Sequence, residues 1–197
     1  MTILYNVGNG LYVNTTNRCP ANCTFCIRNH ADGIMPTDNL WLEREPTVDE
    51  ICEKISNTDI SKFSEIVFCG FGEPSVRLFD ICKVVEFIRS VSDIPIRIDT
   101  NGLANLIHNK SVEDAFSVFD VVSISLNGFD AESYQAVTRS KFGIKSFDEM
   151  LKFASEVQKH CDKVIMTVVD SIGETAIEKS RVIANSCSVD FRVRKYT

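Results

Sequence analysis

Three cysteines stand close together near the N-terminus, in Asn17–Ile27, NRCPANCTFCI. Cys19, Cys23 and Cys26 have the spacing C-x3-C-x2-C, so three thiolates within eight residues can converge on one metal centre. A closed zinc site takes four ligands, and a [4Fe–4S] cluster held wholly by protein takes four thiolates. Three thiolates therefore leave one coordination position for something other than protein. His30 extends the run to C-x3-C-x2-C-x3-H, which keeps a Cys3His zinc site open as the other reading. A second polar signal, Gly72-Glu73-Pro74, lies some fifty residues on.

These residues need elements to place them. Leu11–Thr16 is rich in β-branched and aromatic residues and reads as a strand. The cysteines then sit in the loop just past a strand end, where α/β proteins carry their chemistry. Thr2–Tyr5 reads as a short edge strand. Further strands are expected at 65–68, 94–99, 121–126, 163–169 and 189–193. Helices alternate with them: one opened by the capping box Thr47-Val48-Asp49-Glu50, then 78–91, 112–119, 131–138, 147–160 capped by Ser146, and 175–186. Strictly alternating strands and helices imply a parallel sheet. Six such units fit an α/β fold with a partial, open (βα)6 barrel; periodicity alone equally allows a doubly wound sheet of flavodoxin type. The cysteine loop favours the barrel.

A parallel barrel gathers its strand ends on one rim. That rim would hold the cysteine loop, Gly70, Gly72 and Glu73, Thr100 and Asn101, Ser125 and Asn127, Asp170, Arg192 and Arg194. In Phe191-Arg192-Val193-Arg194 one pair faces inward and the other outward, so the arginines either contact substrate or are solvated. Asn101-Gly102 and Asn127-Gly128 are also ordinary turn chemistry.

Composition narrows the class. The chain has 197 residues, 44% hydrophobic and 24% charged, as in an ordinary globular protein. A single domain over residues 1–197 is expected, without an accessory C-terminal domain. No apolar run approaches the roughly 20 residues of a membrane span. Met1-Thr2-Ile3-Leu4 does not open a signal peptide, so a cytoplasmic location is expected. The net charge of −6 argues against a broad nucleic-acid footprint. Cys52, Cys69, Cys82, Cys161 and Cys187 are scattered singly and read as small core residues rather than a disulfide framework.

The cysteine spacing, Phe25 before the last cysteine, and Gly-Glu-Pro after the next strand together resemble the radical S-adenosylmethionine (SAM) superfamily. The resemblance implies that Cys19, Cys23 and Cys26 hold a [4Fe–4S] cluster whose fourth iron is chelated by SAM. Reductive cleavage of SAM would then yield a 5′-deoxyadenosyl radical that abstracts hydrogen from a substrate. It also implies cofactor contacts from Phe25, Gly70, Gly72, Glu73, Pro74, Thr100, Asn101, Ser125, Asn127 and the backbone of Val193, with Glu73 at the SAM amino group. Phe71 separates Gly70 from Gly72, a departure from the Gly-Gly-Glu-Pro form. An electron donor such as flavodoxin or ferredoxin is the implied partner. Cys-Thr-Phe-Cys-Ile-Arg-Asn looks most like the small radical SAM proteins found beside TatD-type nucleases. Activating enzymes for protein radicals and 7-carboxy-7-deazaguanine synthases are the alternatives; the threonine that serves magnesium in the latter is missing. An open barrel mouth would suit a peptide or nucleic acid, or a small substrate covered by a partner. A non-catalytic Fe–S or zinc protein is the reading from a different class. The loop 28–46, with Arg28, His30, Asp32 and Trp41, is either a lid or plain surface.

Overall fold

A computed structural model describes residues 1–29 and 39–195. His30 and Asp32 lie outside the described residues. Seven strands form one sheet in sequence order: β1 (Leu4–Val7), β2 (Gly10–Val13), β3 (Glu65–Phe68), β4 (Ile96–Thr100), β5 (Val121–Ser125), β6 (Lys163–Val169) and β7 (Asp190–Arg194). The β1–β2 pair is antiparallel, and β2 to β7 run parallel. β1 and β7 remain edges, so the sheet is open, as expected of a partial barrel.

Among the described residues six α-helices connect the strands: α1 (Val48–Ser56), α2 (Leu78–Val91), α3 (Ala104–His108), α4 (Ala131–Thr138), α5 (Ser146–Val157) and α6 (Glu174–Ser186). The Thr47 capping box is formed, with Glu50 N–H donating to Thr47 Oγ1 and Thr47 N–H to Glu50 Oε2. Several expectations need correction: the helix expected at 112–119 is a 3-10 helix, Glu113–Val118, and the strand expected over Leu11–Thr16 ends at Val13. The third predicted strand begins at Ile96 rather than Ile94, because Pro95 offers only its carbonyl, to Ile66 N–H. Ser146 lies inside α5 and donates to Ser140 Oγ instead of capping the helix. The α3 turn after Asn101-Gly102 has no apolar periodicity long enough to announce it.

The strand alternation sorts side chains cleanly. Leu11, Val13, Ile66, Phe68, Ile98, Val122, Ile124, Met166 and Val168 point to the helices and form one core with Ile81, Val84, Ile88, Phe116 and Phe153. The opposite, inner face is mixed. By register it carries Tyr12, Glu65, Arg97, Asp99, Ser123, Ser125, Lys163, Thr167, Asp190, Arg192 and Arg194, with Val67, Val121, Ile165 and Val169 among them. Arg97, nearly buried, anchors this face. It donates through Nε and Nη2 to Glu65 (3.0 Å each), through Nη1 to Asp99, and through Nη2 to the Tyr12 hydroxyl (3.2 Å). Burial disfavours its charge, but the Glu65 and Asp99 carboxylates outweigh that and raise its pKa.

Removing one member of a buried ion group leaves the other charges uncompensated. Arg97→Met should therefore lower unfolding free energy by about 3–5 kcal/mol, read from urea denaturation. A loss below about 1 kcal/mol would show the network to be solvated.

Candidate metal and cofactor site

The cysteine loop is held from two sides. On one side the end of α4 grips it: Asn22 N–H donates to Thr138 O, Thr24 N–H to Val137 O, and Lys141 N–H to Pro20 O. On the other, Arg28 Nη1 closes the loop on itself by donating to Asn17 O at 2.9 Å. Cys26 N–H donates to Cys23 O, and Asn29 N–H to Cys26 O, so Ile27–Asn29 forms a single 3-10 turn just past the last cysteine. Phe25, half-buried, occupies the turn between Cys23 and Cys26.

All eight cysteines are free thiols; the three of the loop are half-buried, and Cys187 is fully buried. Burial is the main force raising Cys19 to about 11 and Cys23 to about 12. Neighbouring negative charge adds to both: Glu73 and Cys26 act on Cys19, and Cys19 and Cys26 act on Cys23. The three sulfurs thus share one electrostatic environment, in which a bound cation would reverse the effect and hold them as thiolates. Among the described residues, no three His, Cys, Asp or Glu side chains gather closely enough for a single metal ion. One zinc draws its thiolates together at Zn–S distances of about 2.3 Å, whereas a four-iron cluster takes each thiolate on a separate iron. Three thiolates with one coordination position left open are a donor set that a four-iron cluster can use.

The segment after β3 lies directly on this loop. Glu73 N–H donates to Arg18 O at 2.8 Å, one residue before Cys19. A Cβ on Gly72 would clash with Thr16 O and come within 2.7 Å of Arg18 O; one on Gly70 would clash with Asn14 Oδ1. These glycines are needed so that the β3 loop can touch the β2 loop. Glu73 is 4% exposed. Its Oε1 accepts from Ser75 N–H (3.0 Å) and Thr100 Oγ1 (2.6 Å), and its Oε2 from Asn101 N–H (2.7 Å). Burial pushes its pKa up, opposed by those donors. Pro74, buried, starts the short turn Pro74–Arg77. The carboxylate therefore ties the β3 and β4 ends together; sequence reasoning gave it only a cofactor role.

The remaining expected residues fall on the same rim or near it. Three buried polar atoms without partners sit here: Asn14 Oδ1, Ser75 Oγ and Asn101 Nδ2. Ser125 ends β5 on the inner face, opposite Thr167. Asn127 is 7% exposed with φ 52°, so it also makes the turn into α4. Val193 pairs with Val168, on the side away from the inner face, so only its backbone can serve the rim. The expected residues from β2 through β5 come together; Val193 stands apart at the sheet edge.

Sequence reading missed several supports. Tyr134, 1% exposed on α4, has a raised pKa, first from burial and then from Cys23, Glu73 and Cys19, so its hydroxyl lies within electrostatic range of the cysteines. Glu45 accepts from Thr16 Oγ1 (2.5 Å) and from Arg18 Nε (2.6 Å). Arg77 donates to Thr15 O and Pro46 O. Nothing in the local sequence marks these, because each acts across more than 25 residues. Trp41 packs edge-on against Phe71 at 5.0 Å, with the Arg28 guanidinium 5.8 Å above its ring. Leu40 and Leu42 carbonyls accept from Asn14 and Asn17 amides at 2.7 Å. Residues 39–46 thus bind to the base of the cysteine loop, not to the outside of the barrel. Two hollows of 630 and 600 Å³ between outer helices contain none of the expected site residues, whereas a 540 Å³ groove includes Cys19 in its wall.

The model of the family described as "Radical SAM superfamily" matches residues 13–180. A curated GTP 3′,8-cyclase of Lactiplantibacillus plantarum is 30% identical over 155 residues, covering 78% of this chain and 43% of that protein. A probable dual-specificity RNA methyltransferase RlmN of Treponema pallidum is 29% identical over 91 residues, 43% of this chain and 24% of that protein. The chain spans less than half the length of the curated relatives it matches. In fold it is similar to a radical SAM methyltransferase from Sphaerobacter thermophilus (TM-score 0.65, 13% identity, 98% of this chain and 68% of that one). It is similar also to SuiB of Streptococcus suis, solved bound to S-adenosylmethionine (TM-score 0.63, 17% identity, 94% and 38%).

Two predictions follow from the rim's packing. Gly72→Ala forces backbone apart and should cost about 1–3 kcal/mol, measured as a fall in the denaturation midpoint, with Gly8→Ala as the strained but uncrowded control. The second concerns pH. An acid whose folded pKa is raised binds its proton more tightly folded than unfolded, so stability falls as pH rises from the ordinary range near 4.5 through the raised value, then levels. Chemical denaturation across that window should show this slope in the wild type and lack it in Glu73→Gln. Identical slopes would place the carboxylate in contact with water.

Proposed function

The chain belongs to the radical SAM superfamily, and we propose that it is an enzyme that uses a [4Fe–4S] cluster and SAM to abstract hydrogen from a substrate on the inner face of the sheet. Cys19, Cys23 and Cys26 would hold the cluster, and Gly70–Pro74, Asn101 and Ser125 would line the SAM site. The cofactor pair supplies a one-electron cleavage that generates a carbon-centred radical. The observation that carries this reading is the hydrogen bond from Glu73 N–H to Arg18 O, which fixes the Gly-Glu-Pro segment against the three-cysteine loop.

The chain's own residues do the positioning. The Arg28–Asn17 contact and the α4 end hold the thiols at fixed spacing. The orphaned Asn101 Nδ2 offers a donor, and the Asn14 and Ser75 oxygens offer acceptors, to a polar cofactor. Leu40 and Phe71, both buried, pack on Tyr5 and cover the β1–β3 end of the inner face. Closing that end limits water near a reactive species. An external reductant is required, and a flavodoxin or ferredoxin is the partner proposed.

Anaerobic reconstitution should give a brown protein whose reduced electron paramagnetic resonance signal changes on adding SAM, with 5′-deoxyadenosine released under dithionite. Alanine at Cys19, Cys23 or Cys26 should remove the signal change and reduce iron content. Alanine at Cys52, Cys82, Cys161 or Cys187 should leave both intact. A colourless protein holding one zinc would refute the function.

A further inference from the structure

The inner face is neutralised unevenly. Arginines elsewhere on helices and strands are matched to acids: Arg77 to Asp80, Arg89 to Asp120, and Arg97 to Glu65 and Asp99. Arg192 and Arg194 on β7 have no ion pair or hydrogen bond among the described residues; Asp190, on the same face two residues before Arg192, is paired with Lys163 at 3.6 Å instead. Arg194 Nε is buried and still has no partner. A guanidinium nitrogen taken from water without an acceptor is costly, and such an orphan marks a place where an acceptor binds.

Register puts both guanidinium groups on the inner face. Thr167 pairs with Arg192 and Val169 with Arg194, while Phe191 pairs with Met166 and packs into the helix-side core. Arg194 also reaches back toward the cluster side. Its charge acts on the Cys69 thiol, at the end of β3 beside Gly70. Hydroxyls of Ser123, Ser125 and Thr167 lie on the same face of neighbouring strands. Two arginines at i and i+2 stand about 7 Å apart along a strand. Forks so separated suit an anion with several oxygens pointing in different directions, a phosphoryl group rather than one carboxylate.

We propose that Arg192 and Arg194 form the seat for a phosphate or diphosphate group of the substrate. The proposal rests on the function given above, since it assigns the substrate class of that site. The anion would bind at the open β5–β7 end, with the rest of the substrate extending along the inner face toward the cysteine loop. Arg194, inside the concavity, holds it closely; Arg192, exposed, meets it at the edge.

The test is calorimetric titration of inorganic pyrophosphate into the cluster-loaded chain, with and without SAM. Saturable one-to-one binding is expected in both conditions. Arg194→Gln and Arg192→Gln should each weaken it about 10- to 100-fold, and Arg194→Lys should weaken it less than Gln, since charge remains while the fork is lost. Arg192 is exposed, so its variant reports even if Arg194→Gln folds poorly. No saturable binding, or binding in both Gln variants as tight as in the wild type, overturns the proposal. So does competition by SAM together with an equal loss of SAM affinity in Arg194→Gln, which would give the arginine to the cofactor's carboxylate. The titration uses no reductant. A chain that binds pyrophosphate but never cleaves SAM refutes the proposed function alone, and one that cleaves SAM without binding pyrophosphate refutes the anion seat alone.

Discussion

A carboxylate removed from water must find donors or give up its charge, and Glu73 finds them in three places. Ser75 and Asn101 offer backbone N–H groups and Thr100 a hydroxyl, while Glu73's own N–H donates to Arg18 O. The end of β3, the end of β4 and the start of the cysteine loop are thereby fixed to one another. None can shift without exposing an unsatisfied buried group. Gly70 and Gly72 are the steric condition for this contact, because a side chain at either would drive the β3 loop off Asn14 and Thr16. Surface pairs such as Arg18–Glu45 add direction but little energy.

A parallel sheet in an α/β protein is usually apolar on both faces, and its strands then read as unbroken hydrophobic runs. These strands do not. β4 is Ile-Arg-Ile-Asp-Thr, β5 Val-Val-Ser-Ile-Ser and β7 Asp-Phe-Arg-Val-Arg. Alternation in parallel strands means that only one face is covered by helices. The other face carries an ion network and hydroxyls, a surface built to meet something polar.

That alternation and the cysteine spacing made much of the fold legible from sequence. Leu11–Val13, Glu65–Phe68 and Lys163–Val169 form strands because their apolar residues face one core. The cysteine loop past β2 and Gly-Glu-Pro past β3 fall on one rim because the strands are parallel. What could not be read is what acts at long range. Tyr134 on α4 lies within electrostatic range of the cysteines, and Arg77 ties Thr15 to Pro46. Local patterns do not encode such partners. Ser146 shows the reverse failure: its type suits a cap, but a hydroxyl partner at Ser140 drew it into the helix.

The inner face is closed at one end and open at the other, for different physical reasons. At the β1–β3 end Tyr5, Leu40 and Phe71 pack with Val7 and Tyr12, and Trp41 lies edge-on to Phe71. Apolar contact there excludes water beside the Gly70–Pro74 segment, where a reactive species needs shelter. Toward β7 the face carries the hydroxyls of Ser123, Ser125 and Thr167, the apolar Ile165 and Val169, and Arg192 and Arg194 with Asp190 beside them. A ligand lying across the sheet would therefore have its reacting part at the dry end and its charged part at the wet one. The Glu65–Arg97–Asp99 network stands between the two ends. With two carboxylates on one guanidinium it carries a net negative charge, so it does not compete for the substrate's anion.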